Sequence, residues 1–203
     1  MGSTHSSQIP VGPGGVTPLV AWLNRWRISA GLAVVGLCVT QGVIEREAPL
    51  NLLRPSSVVL GALLLIGVGV GLRVWALGTI DKNRVLTMTG VYSLCRHPLY
   101  LGSSLLFLGF ALLMNDGEFL LLGVPYVLLF FGAAAFSEEH FLKSKFNGEF
   151  EVYRHLVPGF LPLGRWRGGG FSLSRAMRKG GAELIVAVVV LLAAVQWMAV
   201  RYG

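Results

Sequence analysis

The chain has 203 residues, of which 54% are hydrophobic and only 13% charged, with a formal net charge of +7. A soluble domain of this size carries about a quarter charged residues, so the composition excludes an ordinary water-soluble globule. The basic excess does not point to nucleic acid either, because the Lys and Arg residues lie between long apolar runs and form no separate basic domain.

Residues 1–27 open with a Ser-, Gly- and Pro-rich stretch and read as a disordered or interfacial segment. The Met-Gly-Ser-Thr-His-Ser start fits a loose myristoylation pattern and lacks the apolar core of a signal peptide. Five apolar segments follow, at residues 28–44, 56–80, 99–114, 119–136 and 182–200. Crossing a bilayer takes roughly 20 apolar residues, about 17 at the least, so the third is short and has to borrow from its flanks. The runs are continuous rather than alternating, which predicts helices and excludes strands. The expected fold is all-α and polytopic, with about five transmembrane helices. In domain terms it divides into residues 28–58 (first helix and loop), 59–163 (a core of helices two to four and their polar motifs), 164–181 (a basic linker) and 182–203 (the C-terminal helix).

With five spans, Arg25, Arg27, Lys82, Arg84, Arg96 and the basic run from Lys143 to Lys179 fall on one side, against Arg46, Arg54 and Arg201 on the other. Positive charge marks the cytoplasmic side, so the N-terminus and the polar motifs are expected there. Arg73 is the exception, since it lies inside the second span. An intramembrane arginine costs about 2.5–3.5 kcal/mol on insertion scales and marks functional sites. Snorkelling to headgroups about 10 Å away along the helix accounts for it equally well.

Two polar clusters border the spans. The first is Gly90, Tyr92, Arg96, His97, Pro98, Tyr100 and Gly102, leading into the third span. Pro98 suits the first helical position and His97 the cap. The free N–H groups of that helix start, with Arg96 beside them, form an anion site, while the Tyr100 ring and the bare Gly102 would shape a pocket one turn in. A plain juxtamembrane cap with interfacial aromatics gives the same spacing. The second cluster is Glu138-Glu139, followed by Phe141, Leu142, Phe146, Phe150 and Tyr153. This pattern predicts that the fourth helix continues beyond the membrane and breaks near Gly148. Adjacent glutamates point about 100° apart on a helix. One can therefore face a ligand while the other pairs with Arg96 or Arg73, unless both are simply solvated. Cys38 and Cys95 lie far apart, and no metal site is expected.

Together these residues resemble the isoprenylcysteine carboxyl methyltransferases and the related bacterial phospholipid methyltransferases. The block Gly-x-Tyr-x-x-x-Arg-His-Pro-x-Tyr-x-Gly stands at Gly90 to Gly102 without a gap. A hydrophobic hairpin, Glu138-Glu139 and a stretch through Phe146, Phe150, Tyr153, Val157, Pro158 and Pro162 follow, with Phe150 where the family often has Tyr. The resemblance covers residues 60–163 or so and implies S-adenosylmethionine as cofactor, bound by Tyr92, Arg96, His97, Pro98, Tyr100, Gly102, Glu138 and Glu139. It also implies an acceptor entering from the bilayer, and Arg73 as the match of an arginine near the reacting group. In the carboxyl methyltransferases an acidic residue precedes that arginine. Here Gly67-Val68-Gly69-Val70-Gly71 carries none, which bears against a prenylcysteine acceptor. Expected partners are therefore the bilayer and a lipid-like or small hydrophobic acceptor, with no nucleic acid. A lipid or isoprenoid carboxylate comes first, a phospholipid amine second and a small thiol third. The rivals are an NADPH-dependent sterol-type reductase, which shares an Arg-His-Pro-like block, and a non-catalytic membrane scaffold.

Overall fold

The computed structural model describes Trp22, residues 48–80 and residues 85–203. The first expected span, residues 28–44, lies outside the described residues, as do Lys82 and Arg84. All regular structure among the described residues is helical.

Helix α1 (Ser57–Thr79) starts where the Ser56 side chain accepts the Val59 N–H at 3.2 Å, satisfying one of the donors a helix start leaves free. Helix α2 (Pro98–Met114) has proline at its first turn and ends at Asn115 in the left-handed region, φ 55°. The next span is continuous over Phe119–Phe146. It comprises α3 (Gly117–Tyr126), a π turn (Val127–Phe131) and α4 (Gly132–Phe146). Pro125 lies inside α3 and withholds an N–H from the ladder, and the wide turn follows directly. Asn147, at φ 37°, breaks the chain before α5 (Gly148–Leu156), so the helix continues beyond residue 136 to Phe146 and the predicted break near Gly148 is present. A short α6 (Leu173–Ala176) leads through a kink at Gly180 into α7 (Ala182–Tyr202).

By length and composition three helical stretches among the described residues can cross a membrane: Ser57–Thr79, Phe119–Phe146 and Leu173–Tyr202. The apolar Pro98–Met114 is shorter, as its sequence indicated. Their outward faces carry Leu60, Leu64, Leu128, Val186, Val190 and Trp197 exposed, which is the surface that lipid covers.

The helices meet through small residues. A Cβ on Gly69 would stand 2.8 Å from the Gly102 carbonyl oxygen, and one on Gly109 would stand 2.8 Å from that of Ala62. Backbones therefore touch along the α1–α2 seam, as in other membrane helix pairs. A Cβ on Gly67 or Gly71 would meet nothing within 4 Å among the described residues, so of the three glycines in that run Gly69 is the one at the α1–α2 seam. Helix α7 closes the bundle on α1 through Val188 and Val195, around Val59, Ile66 and Leu113. Its Gln196 accepts the Leu52 N–H at 2.8 Å and donates to Asn51 Oδ1 at 3.1 Å.

Gly109→Leu is expected to force the α1–α2 seam apart and destabilise the protein by about 1–3 kcal/mol. Thermal unfolding in detergent should show a lowered midpoint for it, and no such drop for Gly67→Leu.

Candidate active site

The turn from α1 to α2 is built around glycine and a 3-10 turn (Gly90–Ser93). Gly90 has φ 60°, and a Cβ there would stand 2.9 Å from Thr79 Cγ2, so conformation and space both call for glycine. The Ser93 hydroxyl donates to the Gly90 carbonyl at 2.7 Å and accepts the Arg167 N–H at 2.9 Å. Val91, Tyr92 and Cys95 are buried beneath.

A second strand of backbone runs along this loop. The Arg96 N–H donates to the Pro158 carbonyl at 2.9 Å and the His97 N–H to that of Gly159 at 3.0 Å. The Gly164 N–H donates to Leu94 O at 2.9 Å and the Gly90 N–H to Arg167 O at 2.8 Å. Residues 158–172 thus form a strap that holds the motif in place. Phe160 stacks on the His97 ring with centroids 5.4 Å apart.

The two polar clusters meet across the fold. Glu139 Oε1 lies 3.0 Å from Arg96 Nη1 and 2.9 Å from His97 Nε2. A carboxylate has no proton to give, so His97 Nε2–H is the donor. His97 is 3% exposed, and its Nδ1 stands 3.9 Å from Glu138 Oε2. The glutamates do part company, as the helix geometry required. Glu139 turns inward to Arg96 and His97, while Glu138 faces a cavity of about 230 Å³. Tyr92, Arg96 and Glu138 supply its polar wall, and Ile80, Leu142 and Phe146 are among its apolar residues. From α5, the Tyr153 hydroxyl donates to the Tyr92 carbonyl at 2.7 Å and ties this wall to the motif loop.

Burial, reinforced by the nearby Glu138 carboxylate, pushes the Tyr92 phenol above the ordinary tyrosine range. Burial likewise raises Tyr153, and it lifts the Cys95 thiol to about 11. The phenols are therefore hydrogen-bonding groups rather than bases at neutral pH, and Cys95 stays a thiol. Tyr92 Oη and Arg96 Nε are buried with no hydrogen-bond partner among the described residues. Such groups are costly unless something completes their hydrogen bonds. The wall combines these unpaired polar atoms, a carboxylate and an apolar face. That donor set fits a cationic nucleoside cofactor with hydroxyl and ammonium groups.

The remaining expected residues are placed elsewhere. Pro98 is buried at the first turn of α2. The Tyr100 ring sits between His97 and Phe131, with centroids 5.8 Å from each. Gly102 faces α1, where a Cβ would stand 2.7 Å from Arg73 Cγ, so its bareness seats the arginine stem rather than shaping the cavity. Arg73 Nη1 donates to the Leu99 carbonyl at 3.3 Å and to the Ser103 hydroxyl, so the side chain is turned onto α2 instead of running along α1 to the headgroups. Its Nε is buried without a hydrogen-bond partner among the described residues. The strap carbonyls and the Tyr153 anchor were not foreseen. The prolines and glycines between Pro158 and Gly170 were the only sign of an ordered segment there. No cluster of three or more metal-ligating side chains occurs among the described residues.

The sequence profile of the phospholipid methyltransferase family matches residues 57–149. The chain is 33% identical to the cobalt-zinc-cadmium resistance protein CzcN of Cupriavidus metallidurans, over 81% of this chain and 78% of that protein. It is 32% identical to the nickel-cobalt-cadmium resistance protein NccN of Alcaligenes xylosoxydans xylosoxydans, over 72% of this chain and 69% of that one. Over 41% of this chain and 35% of the relative, it is 34% identical to the protein-S-isoprenylcysteine O-methyltransferase of Schizosaccharomyces pombe. No solved structure matches.

Proposed function

The chain belongs to the membrane methyltransferase family that includes the phospholipid and isoprenylcysteine carboxyl methyltransferases, and on that premise we propose that it uses S-adenosylmethionine to methylate a membrane-dissolved acceptor, first of all a lipid or isoprenoid carboxylate. The observation that carries this reading is the cavity at the meeting of the two motifs, where Tyr92 and Arg96 bury polar atoms without a partner among the described residues beside the Glu138 carboxylate.

When bound, S-adenosylmethionine supplies a sulfonium methyl, which passes to the acceptor's nucleophilic atom while the carbon–sulfur electron pair stays on sulfur. Glu138 would pair with the cofactor's positive charge or its hydroxyls, and Tyr92 and Arg96 would complete hydrogen bonds to it. Glu139 and His97 fix Arg96 and the cavity wall from behind. The cavity, at about 230 Å³, is smaller than the roughly 300–1,000 Å³ of small-molecule sites, so it would hold only part of the cofactor. Arg73 neutralises an anionic acceptor head, and in low dielectric its charge acts strongly. A carboxylate acceptor needs alignment and exclusion of water rather than a base, which agrees with the absence of a base among the cavity's phenols. The site is assigned to the cytoplasmic face, because the bulk of the Lys and Arg residues flank that side.

Calorimetric titration of the detergent-purified protein with S-adenosylmethionine tests the reading, and absence of binding overturns it. Glu138→Gln should weaken that affinity by about tenfold, the size of one lost charge-assisted hydrogen bond. Arg73→Ala should leave it within about twofold while lowering turnover about tenfold or more. Equal cofactor affinity in the wild type and both variants would remove the division of labour.

A further inference from the structure

The strap exposes more apolar surface than a loop on an aqueous face tolerates. Leu161 is 62% exposed, Leu163 77%, Trp166 55% and Phe171 48%, and clustered exposed apolar groups mark a surface that something covers. The basic residues of the same stretch divide into two sets. Arg175 and Lys179 turn inward and donate to the carbonyls of Gly78 (3.3 Å) and Ile80 (2.6 Å), closing the C-terminal end of α1. Arg165, Arg167 and Arg178 are exposed, interleaved with the apolar side chains or at the foot of α7.

The depth of the strap is set by α1. The Ser172 N–H donates to Gly78 O at 3.2 Å, and the Trp166 ring lies 5.5 Å from that of Trp75 in the last turn of α1. The 23 residues of α1 rise about 35 Å at roughly 1.5 Å each. That exceeds the roughly 30 Å hydrocarbon core, which gives the end of α1 and the strap bonded to it the length to reach the headgroup layer.

We propose that residues 160–173 together with Arg178 form a docking surface for anionic phospholipids, with Leu161, Leu163, Trp166 and Phe171 entering the acyl boundary and the three outward arginines holding lipid phosphates. Guanidinium groups match phosphate in charge and in paired hydrogen-bond geometry. Aromatic and aliphatic side chains interleaved with basic ones are the composition that binds at the interface of an anionic leaflet. The backbone bonds to the motif loop keep the strap at this level.

The test uses the full-length protein reconstituted in mixed phosphatidylcholine and phosphatidylglycerol bilayers. Spin-labelled lipids should report a preference for phosphatidylglycerol that falls to near parity in the R165Q/R167Q/R178Q variant, a loss of up to about fivefold per arginine. The fluorescence lost in Trp166→Phe should be the part quenched by lipids brominated near the headgroup. Parity in the wild type, an unchanged preference in the triple variant, or a Trp166 contribution reached by acrylamide but not by brominated lipid each overturns the proposal. Neither readout involves S-adenosylmethionine, so the outcome is separate from that of the cofactor reading.

Discussion

Replacing Glu139 by alanine is expected to lower both the stability of the protein and its affinity for cofactor, whereas Glu138→Ala lowers the affinity alone. One oxygen of Glu139 accepts the His97 Nε2–H at 2.9 Å and forms an ion pair with Arg96 Nη1 at 3.0 Å. The His97 side chain is 2% exposed and that of Arg96 14%, so neither can turn to water when the acceptor is removed. A hydrogen bond to a charged group is worth about 1.5–3 kcal/mol, and a buried donor left unpaired carries its desolvation penalty as well. Glu139 itself keeps 23% exposure, so the loss falls short of the roughly 3–5 kcal/mol of a fully buried pair and should be about 3 kcal/mol. For a chain of this size that is a drop of about 6–12 °C in the unfolding midpoint. Glu138 has no comparable partner, its nearest being His97 Nδ1 at 3.9 Å. Its removal therefore leaves the midpoint in place while cofactor affinity falls. Glu139→Gln keeps an acceptor and should recover part of the stability. Identical midpoints for the two alanine variants would show that Glu139 is not the keystone of the site.

The spans among the described residues were legible because each is a single apolar run closed by polar punctuation. Residues 56–80 and 182–200 were expected, and the helices are Ser57–Thr79 and Ala182–Tyr202. The parting of the two glutamates was also readable, since neighbours on a helix diverge by about 100° whatever surrounds them, but spacing left Arg96 and Arg73 both open as the partner, and the fold brings Arg96 to Glu139. Arg73 was legible as a residue but not in its contacts. Its reach to Leu99 and Ser103 depends on how closely α1 and α2 approach, and that closeness comes from Gly69 and Gly102 meeting across the seam. The same crossing takes Gly102 away from the cavity, which spacing along one helix does not reveal. The strap was hidden for a different reason. Its hold on the motif loop uses the carbonyls of Pro158, Gly159 and Arg167 and the N–H of Gly164, groups that nearly every residue possesses, so side-chain patterning carries no trace of them. Only the glycines that such close backbone approach demands remain visible.

Gly164→Ala puts that last point to the test and is expected to lower turnover by about a hundredfold. A Cβ at position 164 would stand 2.2 Å from the Ser93 carbonyl oxygen and 2.8 Å from that of Leu94. Both are backbone atoms of the motif loop and cannot rotate aside as a flexible side chain would. The strap has to lift, and the Pro158 and Gly159 carbonyls then move off the Arg96 and His97 N–H groups while Phe160 moves off the His97 ring. Each N–H left without an acceptor costs about 1–3 kcal/mol, and a displacement of about 1 Å in a positioned group is enough for a loss near a hundredfold. The spans do not depend on this contact, so far-UV circular dichroism should remain that of the folded helical protein. Gly168→Ala is the matched control, because its Cβ would meet open space four residues further along the same strap. Turnover assays on the two variants therefore separate a close backbone contact from mere chain flexibility: a fall in Gly164→Ala with Gly168→Ala unchanged assigns the effect to the contact with the motif loop. Equal activity in both would mean that the loop keeps its shape without the strap.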